Sequence, residues 1–150
     1  MNILEAINQK SFDSSYAKVA VNLLYTYNWH RDKYQELFKP LGIKMQHYNV
    51  LRILKGSRPK AMCPGDIKEV MLDKSPDLTR LIDKLVTMGL VERNTCPENR
   101  RKLDVFITQA GLDVIDQVMK KQEAMGIEKS SKLSEEEAEQ LSHLLDKFRS

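Results

Sequence analysis

The polar residues between Ser75 and Lys84 have the types and the spacing needed to contact nucleic acid. Thr79, Arg80 and Lys84 fall on one side of a predicted helix, and Ser75 and Asp77 stand at its start. An arginine can donate two parallel hydrogen bonds to a guanine edge, and hydroxyl groups reach bases or phosphates. Asp77 fits this set only as an acceptor from a cytosine amino group, because its charge repels phosphate. These five residues are candidates for contacts in the major groove of double-stranded DNA.

A second candidate set lies further along the chain. Arg100, Arg101 and Lys102 are three successive cations, next to the turn formers Pro97 and Asn99. Such a run can simply keep a turn soluble. Beside a helix suited to DNA contact, however, it fits insertion into a minor groove or contacts with phosphates. We expect these three cations to hold the DNA backbone.

The element that must position the first set is an amphipathic helix. Ser75 is the expected N-cap, Pro76 suits the first helical position, and Gly89 can adopt the left-handed conformation that ends a helix. Apolar residues spaced three and four apart form one stripe, which consists of Leu78, Leu81, Ile82, Leu85 and Val86. The pattern therefore predicts a helix that buries one face and presents the candidate residues on the other.

Short elements flank this helix. Residues 64–71 predict a further helix, and the link at residues 72–74 is so short that the two helices must cross steeply, as in a helix-turn-helix. Residues 90–93 and 103–107 predict two strands joined by the cationic loop. A helix-turn-helix followed by a hairpin is the plan of a winged helix-turn-helix. The predicted fold class is mainly α with a small β-hairpin wing.

The same stretch resembles the MarR (multiple antibiotic resistance regulator) family of transcription regulators. The matching pattern is Ser75-x-x-x-Thr79-Arg80-Leu81, Leu85, Gly89-Leu90-Val91-x-Arg93, Asn99-Arg100-Arg101 and Ile107-Thr108-x-x-Gly111. It covers about residues 41–111, and the flanking helices extend it to nearly the whole chain. The chain departs from the family pattern at Asn99, where an Asp is usual, and at Lys44, where a Ser or Thr cap is usual.

The resemblance implies a sequence-specific regulator, a repressor that binds a pseudo-palindromic operator as a homodimer. Amphipathic helices at about 14–38 and 109–148 exceed what a small winged unit needs, so we expect dimerisation helices around one domain of residues 1–150. The resemblance also implies a small aromatic or lipophilic effector that releases DNA. The residues that we expect to line its pocket are Tyr25, Trp29, His30, Met45 and His47.

Composition and motifs argue against other classes of protein. The chain has 24 basic and 21 acidic residues, a formal charge of +3, so DNA affinity must come from local placement of cations. No apolar run approaches the ~20 residues of a membrane span, and no signal peptide is visible, which predicts a cytoplasmic protein without a membrane partner. The histidines and cysteines lack metal-ligand spacing, and no catalytic motif occurs. We therefore expect no enzyme, catalytic residue, cofactor or metal.

Two alternatives stay open at this stage. A winged unit can act as a protein-interaction adaptor without DNA. The chain can also be a thiol-based redox-responsive regulator, because Cys63 stands at a predicted helix start, where the pKa of a thiol can fall, and Cys96 lies in the wing.

Overall fold

The computed structural model describes residues 1–96, 99–125 and 132–150, with the side chains of residues 96 and 99–102 outside the description. Within these ranges the chain forms a mainly helical fold with one antiparallel hairpin, as predicted. The elements are α1 (Ile3–Ala6), α2 (Ser15–Phe38), a 3₁₀ turn (Lys39–Leu41), α3 (Met45–Ser57), α4 (Pro64–Val70), α5 (Leu78–Thr87), β1 (Val91–Cys96), β2 (Asn99–Ile107), α6 (Gln109–Ala124) and α7 (Glu135–Arg149).

Side-chain caps begin the three long outer helices. Ser14, Thr108 and Ser134 accept the amide hydrogen three residues on, at 3.1, 3.1 and 3.2 Å. Glu137 returns a bond by accepting the Ser134 amide at 2.8 Å, which completes a capping box. The N-terminal limits of α2, α6 and α7 were therefore predictable from single residues. Residues 126–131 of the helical range predicted at about 109–148 lie outside the described residues.

The short helix α1 was not predicted. Asn2 caps it by accepting the Glu5 amide at 3.1 Å, and the Glu5 carboxylate accepts the Asn2 amide at 2.9 Å. Four residues are too few for a readable hydrophobic period, so a capping box at the chain start was the available signal.

A backbone segment outside the two strands also pairs with the base of the hairpin. β1 and β2 pair antiparallel, beginning with Val91 opposite Ile107, and both strands extend further than the sequence pattern predicted. Met62, just before α4, exchanges two backbone hydrogen bonds with Val105 at 3.2 and 2.9 Å. A single bridging residue carries no strand period, which is why the sequence did not reveal it. This bridge fixes the start of α4 against the hairpin.

One hydrophobic core joins the winged unit to the end of α2 and to α6. Its members with no exposed surface come from α3, α4, α5, β2 and α6, and they are Val50, Leu51, Ile67, Leu85, Val105, Ile115 and Val118. Gly111 allows α6 to approach the hairpin closely, since a Cβ there would lie 2.3 Å from the Leu90 carbonyl oxygen. The core therefore holds α5 and the hairpin in one fixed relation.

Helices α2 and α7 leave large apolar surfaces uncovered. In α2 the buried residues are Leu37 and Phe38, at its C-terminal end, and α7 buries none. Exposed apolar side chains on these two helices include Tyr16, Val19, Leu24, Tyr27, Trp29, Leu141, Leu144 and Phe148. The apolar surface of the helix predicted at about 14–38 is thus mostly open to solvent in a single chain.

Candidate nucleic-acid interface

Helix α5 presents its polar face to solvent. Leu78, Ile82 and Leu85 are buried beneath it, whereas Thr79 and Arg80 are exposed on the other side. The Arg80 side chain is 87% exposed. Because the buried positions follow the predicted stripe, the orientation of this helix was correctly predicted from the sequence.

The start of α5 differs from the prediction. Helix α5 begins at Leu78, its N-cap is Asp77, and the Asp77 Oδ1 accepts the Arg80 amide hydrogen at 3.3 Å. Ser75 was expected in that role, with Pro76 at the first helical position, and this expectation was wrong. Asp77 is as good a cap as serine and adds a negative charge at the helix N-terminus. With Ser75 as the cap, the helix would begin at Pro76; it begins two residues later, at Leu78.

Ser75 instead belongs to a turn in the link before α5. Its amide and its hydroxyl donate to Oδ1 of Asp73, at 3.0 and 2.6 Å. These bonds, the side-chain bond first, lower the pKa of Asp73 from its usual range. The hydroxyl is therefore engaged within the chain, although Ser75 itself remains exposed.

Asp77 also contacts the Arg80 side chain, one helical turn further along α5. Its Oδ2 lies 3.4 Å from Nε of Arg80, and both side chains are well exposed. Exposed pairs of this kind contribute little to stability. The pair nevertheless places a carboxylate beside the arginine that was predicted to contact a guanine.

An ion pair links α5 to the hairpin. The Arg93 guanidinium on β1 donates to Oδ1 of Asp83, on the exposed half of α5. Arg93 belongs to the family pattern in the sequence, which predicted no partner for its side chain. Arg93 and Asp83 are ten residues apart, on either side of a helix end, so no local sequence pattern predicts that they form a pair. Only the folded hairpin brings them together. The pair orients β1 relative to the polar face of α5.

The predicted wing cations fall largely outside the described side chains. The backbone of Arg100, Arg101 and Lys102 lies in β2, beside the hairpin tip, and their side chains are not among those described. The side chain of Cys96 is likewise outside the description. Cys63 is a half-buried free thiol at the N-cap of α4, at the helix start predicted for it.

A concave surface lies between the starts of α4 and α5. A cavity of about 420 Å³ there is lined by residues that include Ser75, Asp77 and Thr79, together with Lys68 from α4. Lys68 was missing from the predicted contacts, although it stands one helical turn into α4 and is exposed. Three of the predicted DNA-contact residues therefore share one hollow with an additional cation.

A larger cleft of about 1040 Å³ lies behind the start of α5. Its walls are α2, the start of α3, the link before α5, and Lys84 of α5. Of the residues predicted to line an effector pocket, His30 and Met45 line this cleft. Tyr25 and Trp29 lie exposed on α2. His47 is buried in α3 and is not among the lining residues.

His47 closes the start of α3 in place of a side-chain cap. Its Nδ1 accepts the Lys44 amide hydrogen at 3.0 Å, a bond that requires this nitrogen to be unprotonated. Burial, followed by the positive charges of Lys84 and Lys44, lowers the pKa of His47 below its ordinary value of 6.5. The imidazole is therefore held neutral, and one of the causes is a cation on α5.

Comparison with known proteins agrees with this geometry. The model of the MarR family matches residues 43–103. A MarR transcription factor from Planctomyces limnophilus is 32% identical, with 91% of this chain and 98% of that chain covered and a TM-score of 0.69. This chain belongs to the MarR family. Members of the family are transcription factors, in agreement with the prediction that the chain is not an enzyme.

A further relative, MarR of Escherichia coli, was matched both by its sequence and by a solved structure of a mutant. The Escherichia coli multiple antibiotic resistance protein MarR is 29% identical over 96 residues, which are 63% of this chain and 65% of that protein. The chain thus matches slightly less than two thirds of that relative. A mutant of E. coli MarR complexed with operator DNA is 28% identical, covers 85% of this chain and 91% of its own, and has a TM-score of 0.68.

No helix in the described ranges is long and apolar enough to cross a membrane. Nor do the residues with described positions contain a group of three or more His, Cys, Asp or Glu that could hold a metal ion.

Proposed function

We propose that this MarR-family chain is a sequence-specific DNA-binding repressor that acts as a homodimer. The observation that carries the proposal is the exposed polar face of α5, held beside a cationic hairpin by the core and by the Asp83–Arg93 ion pair. A helix of this kind fits the major groove, and a basic hairpin beside it reaches the phosphates or the minor groove. The relative with operator DNA in its crystal structure supports the same use of the fold.

The residues in contact with DNA have separate tasks in this proposal. Ser75, Thr79, Arg80 and Lys84 face the major groove, and Arg80 reads a base through its two donors. Asp77 belongs to the same surface, where it caps α5 and restrains Arg80. The wing cations Arg100, Arg101 and Lys102 bind phosphates or enter the minor groove.

The dimer supplies the spacing that DNA recognition requires. Residues 41–111 form the winged unit, and the helices at 14–38 and 109–148 form the dimer interface, in one domain of residues 1–150. The apolar side chains left exposed on α2 and α7 support this assignment, because large exposed apolar patches mark interaction surfaces. A two-fold axis then places two α5 helices in successive major grooves, ~34 Å apart.

A small-molecule effector would act through the cleft behind α5. The cleft volume suits a drug-sized molecule, and apolar side chains such as Met45 and Phe38 line it together with lysines. The lysines of its lining are Lys39, Lys44, Lys74 and Lys84. Because Lys84 also lies on α5, a molecule that prefers one position of α5 changes the affinity for DNA.

Selection of bound sequences from a random duplex pool tests the DNA-binding proposal. The wild-type chain should enrich a pseudo-palindrome. Arg80→Ala should relax the base preference at one position in each half-site, whereas Arg101→Ala should weaken binding to all duplexes and flatten its salt dependence. Lys10→Ala, which removes one exposed cation outside the winged unit and the proposed dimer helices, is the matched control and should change neither property. Equal binding of every duplex by the wild type would contradict the proposal.

The dimer is tested by mass measurement in solution. Leu144→Glu on α7 should shift the chain towards a monomer, because a buried unpaired carboxylate in the interface is costly. Val70→Glu on α4 is a matched control, since Val70 is 56% exposed and Leu144 is 60% exposed. A wild-type monomer, or equal dissociation by both variants, would contradict the assignment of α7 to the interface.

A further inference from the structure

The link before α5 is tied to α3 by polar contacts. Oδ1 of Asn49 accepts the Leu72 amide hydrogen at 3.0 Å, across 23 residues of sequence. One turn earlier on the same face of α3, the Gln46 side chain lies beside the Asp73 carboxylate and helps to lower its pKa. Two neighbouring side chains of α3 thus face two successive residues of the link.

These contacts continue into the start of the DNA-facing helix. Asp73 accepts the amide and the hydroxyl of Ser75, and Asp77 then caps α5. Hydrogen bonds thus tie the link to α3 at Leu72, fold the link around Ser75 and cap the start of α5. A displacement of residues 72–73 would move the first turn of α5, where the candidate base contacts begin.

Apolar packing anchors only part of this link. Met71 is buried, but the next side chain, Leu72, is 86% exposed and gains nothing from the core. Where a segment lacks apolar contacts, its backbone hydrogen bonds decide how firmly it is held. The acceptor on Asn49 is therefore the main restraint that the described contacts place on Leu72.

We propose that Asn49 is a positioning residue for DNA recognition, which acts by fixing the link before α5 through the Leu72 amide. The inference rests on the proposed DNA-binding function. It adds a route by which the cleft acts on DNA binding, because Gln46, Asn49, Leu72 and Asp73 all line that cleft. A molecule in the cleft that donates a hydrogen bond to the Asn49 carbonyl or to the Asp73 carboxylate competes with the bonds that hold the link. Its binding therefore releases the link and loosens the start of α5.

The test compares two substitutions of nearly equal shape. Asn49→Leu removes the acceptor, and Asn49→Asp keeps an oxygen in its place. Arg52→Ala, an exposed change on the same helix, is the control. For each variant, affinity is measured for the selected operator and for a scrambled duplex at two salt concentrations. The ratio of the two affinities is the readout, since the added charge of Asn49→Asp affects both duplexes alike.

Asn49→Leu should lower the affinity ratio roughly three- to tenfold, the effect of one lost hydrogen bond, and should leave the salt dependence unchanged. Asn49→Asp and Arg52→Ala should stay within about twofold of wild type by the same measure. Hydrogen exchange of the Leu72 amide should be faster in Asn49→Leu and not in the control. Gln46→Met, which removes the contact to Asp73, should lower the ratio in the same direction and serves if Asn49→Leu fails to fold.

A wild-type ratio retained by both Asn49→Leu and Gln46→Met, even with a lower melting temperature, would show a merely structural contact and overturn the inference. The proposed function would survive that result. A wild-type chain that binds operator and scrambled duplex equally would instead overturn the proposed function, and the inference with it.

Discussion

The substitution of Asp77 separates capping of α5 from base reading. Asp77→Ala removes the acceptor of the Arg80 amide and the carboxylate 3.4 Å from the Arg80 guanidinium. Asp77→Ser removes the charge and keeps an oxygen that can cap the helix. A difference between the two variants therefore measures the cap alone, and a shared effect measures the charge.

The expected magnitudes follow from these two contacts. Loss of an N-cap costs about 1 kcal/mol, which lowers the melting temperature of a chain of this length by about 2–4 °C. The ion pair adds little, because Arg80 and Asp77 are 87% and 58% exposed. Asp77→Ala should therefore melt about 2–4 °C below wild type, and Asp77→Ser should melt within about 1 °C of it.

DNA affinity should rise in both Asp77 variants. The freed Arg80 side chain no longer has a competing carboxylate, and one negative charge is removed from a surface that faces phosphates. Since an exposed pair is worth at most about 1 kcal/mol, the gain is up to about fivefold. Thermal melting and titration of a selected operator measure the two effects separately.

Two results would refute this reasoning. Equal loss of melting temperature in Asp77→Ala and Asp77→Ser would show that the Asp77 oxygen does not cap α5. Weaker operator binding in both variants, with a changed preference at one base pair, would show that Asp77 accepts a hydrogen bond from a base instead.

Three further predictions concern the elements around α5. Because the pKa of His47 is lowered in the folded chain, the unfolded chain binds a proton first as the pH falls. The contribution of His47 to stability is therefore complete above about pH 6.5 and declines below it. His47→Gln keeps an acceptor for the Lys44 amide, and its free energy of unfolding in urea should not show this decline. Gly111→Ala should destabilise the fold by at least about 1–3 kcal/mol in the same assay, because its Cβ meets the Leu90 carbonyl oxygen. Thr108→Val should cost about 1 kcal/mol by thermal melting, since it removes the cap of α6, and Thr108→Ser should not.

Each of these predictions has an outcome that would contradict it. For His47, a wild-type unfolding free energy that is flat between pH 5 and 7 would exclude the proposed linkage. An unchanged stability of Gly111→Ala would mean that α6 and the hairpin can separate without cost. For Thr108, equal melting of the valine and serine variants would show that the hydroxyl does not cap α6.

The amino-acid sequence determined the order of the elements and the buried face of α5. Local rules decide these features: a serine or threonine marks a helix start within three residues, and a repeated apolar spacing fixes which side of a helix is buried. The helix starts predicted near residues 14 and 109 agree with caps at Ser14 and Thr108, which begin α2 and α6. The family pattern around α5 was equally local, because its residues lie within one continuous stretch.

Tertiary structure decided which of two suitable caps starts α5 and which distant residues meet there. Ser75 and Asp77 have similar capping preferences. The hydroxyl of Ser75 is instead bonded to Asp73, so Asp77 caps the helix. The link that contains Asp73 is in turn held to α3 by Asn49. The Asp83–Arg93 pair likewise required the hairpin to fold back on α5. Such contacts join positions far apart in sequence, and their geometry follows from packing of the whole core, so no local pattern specifies them.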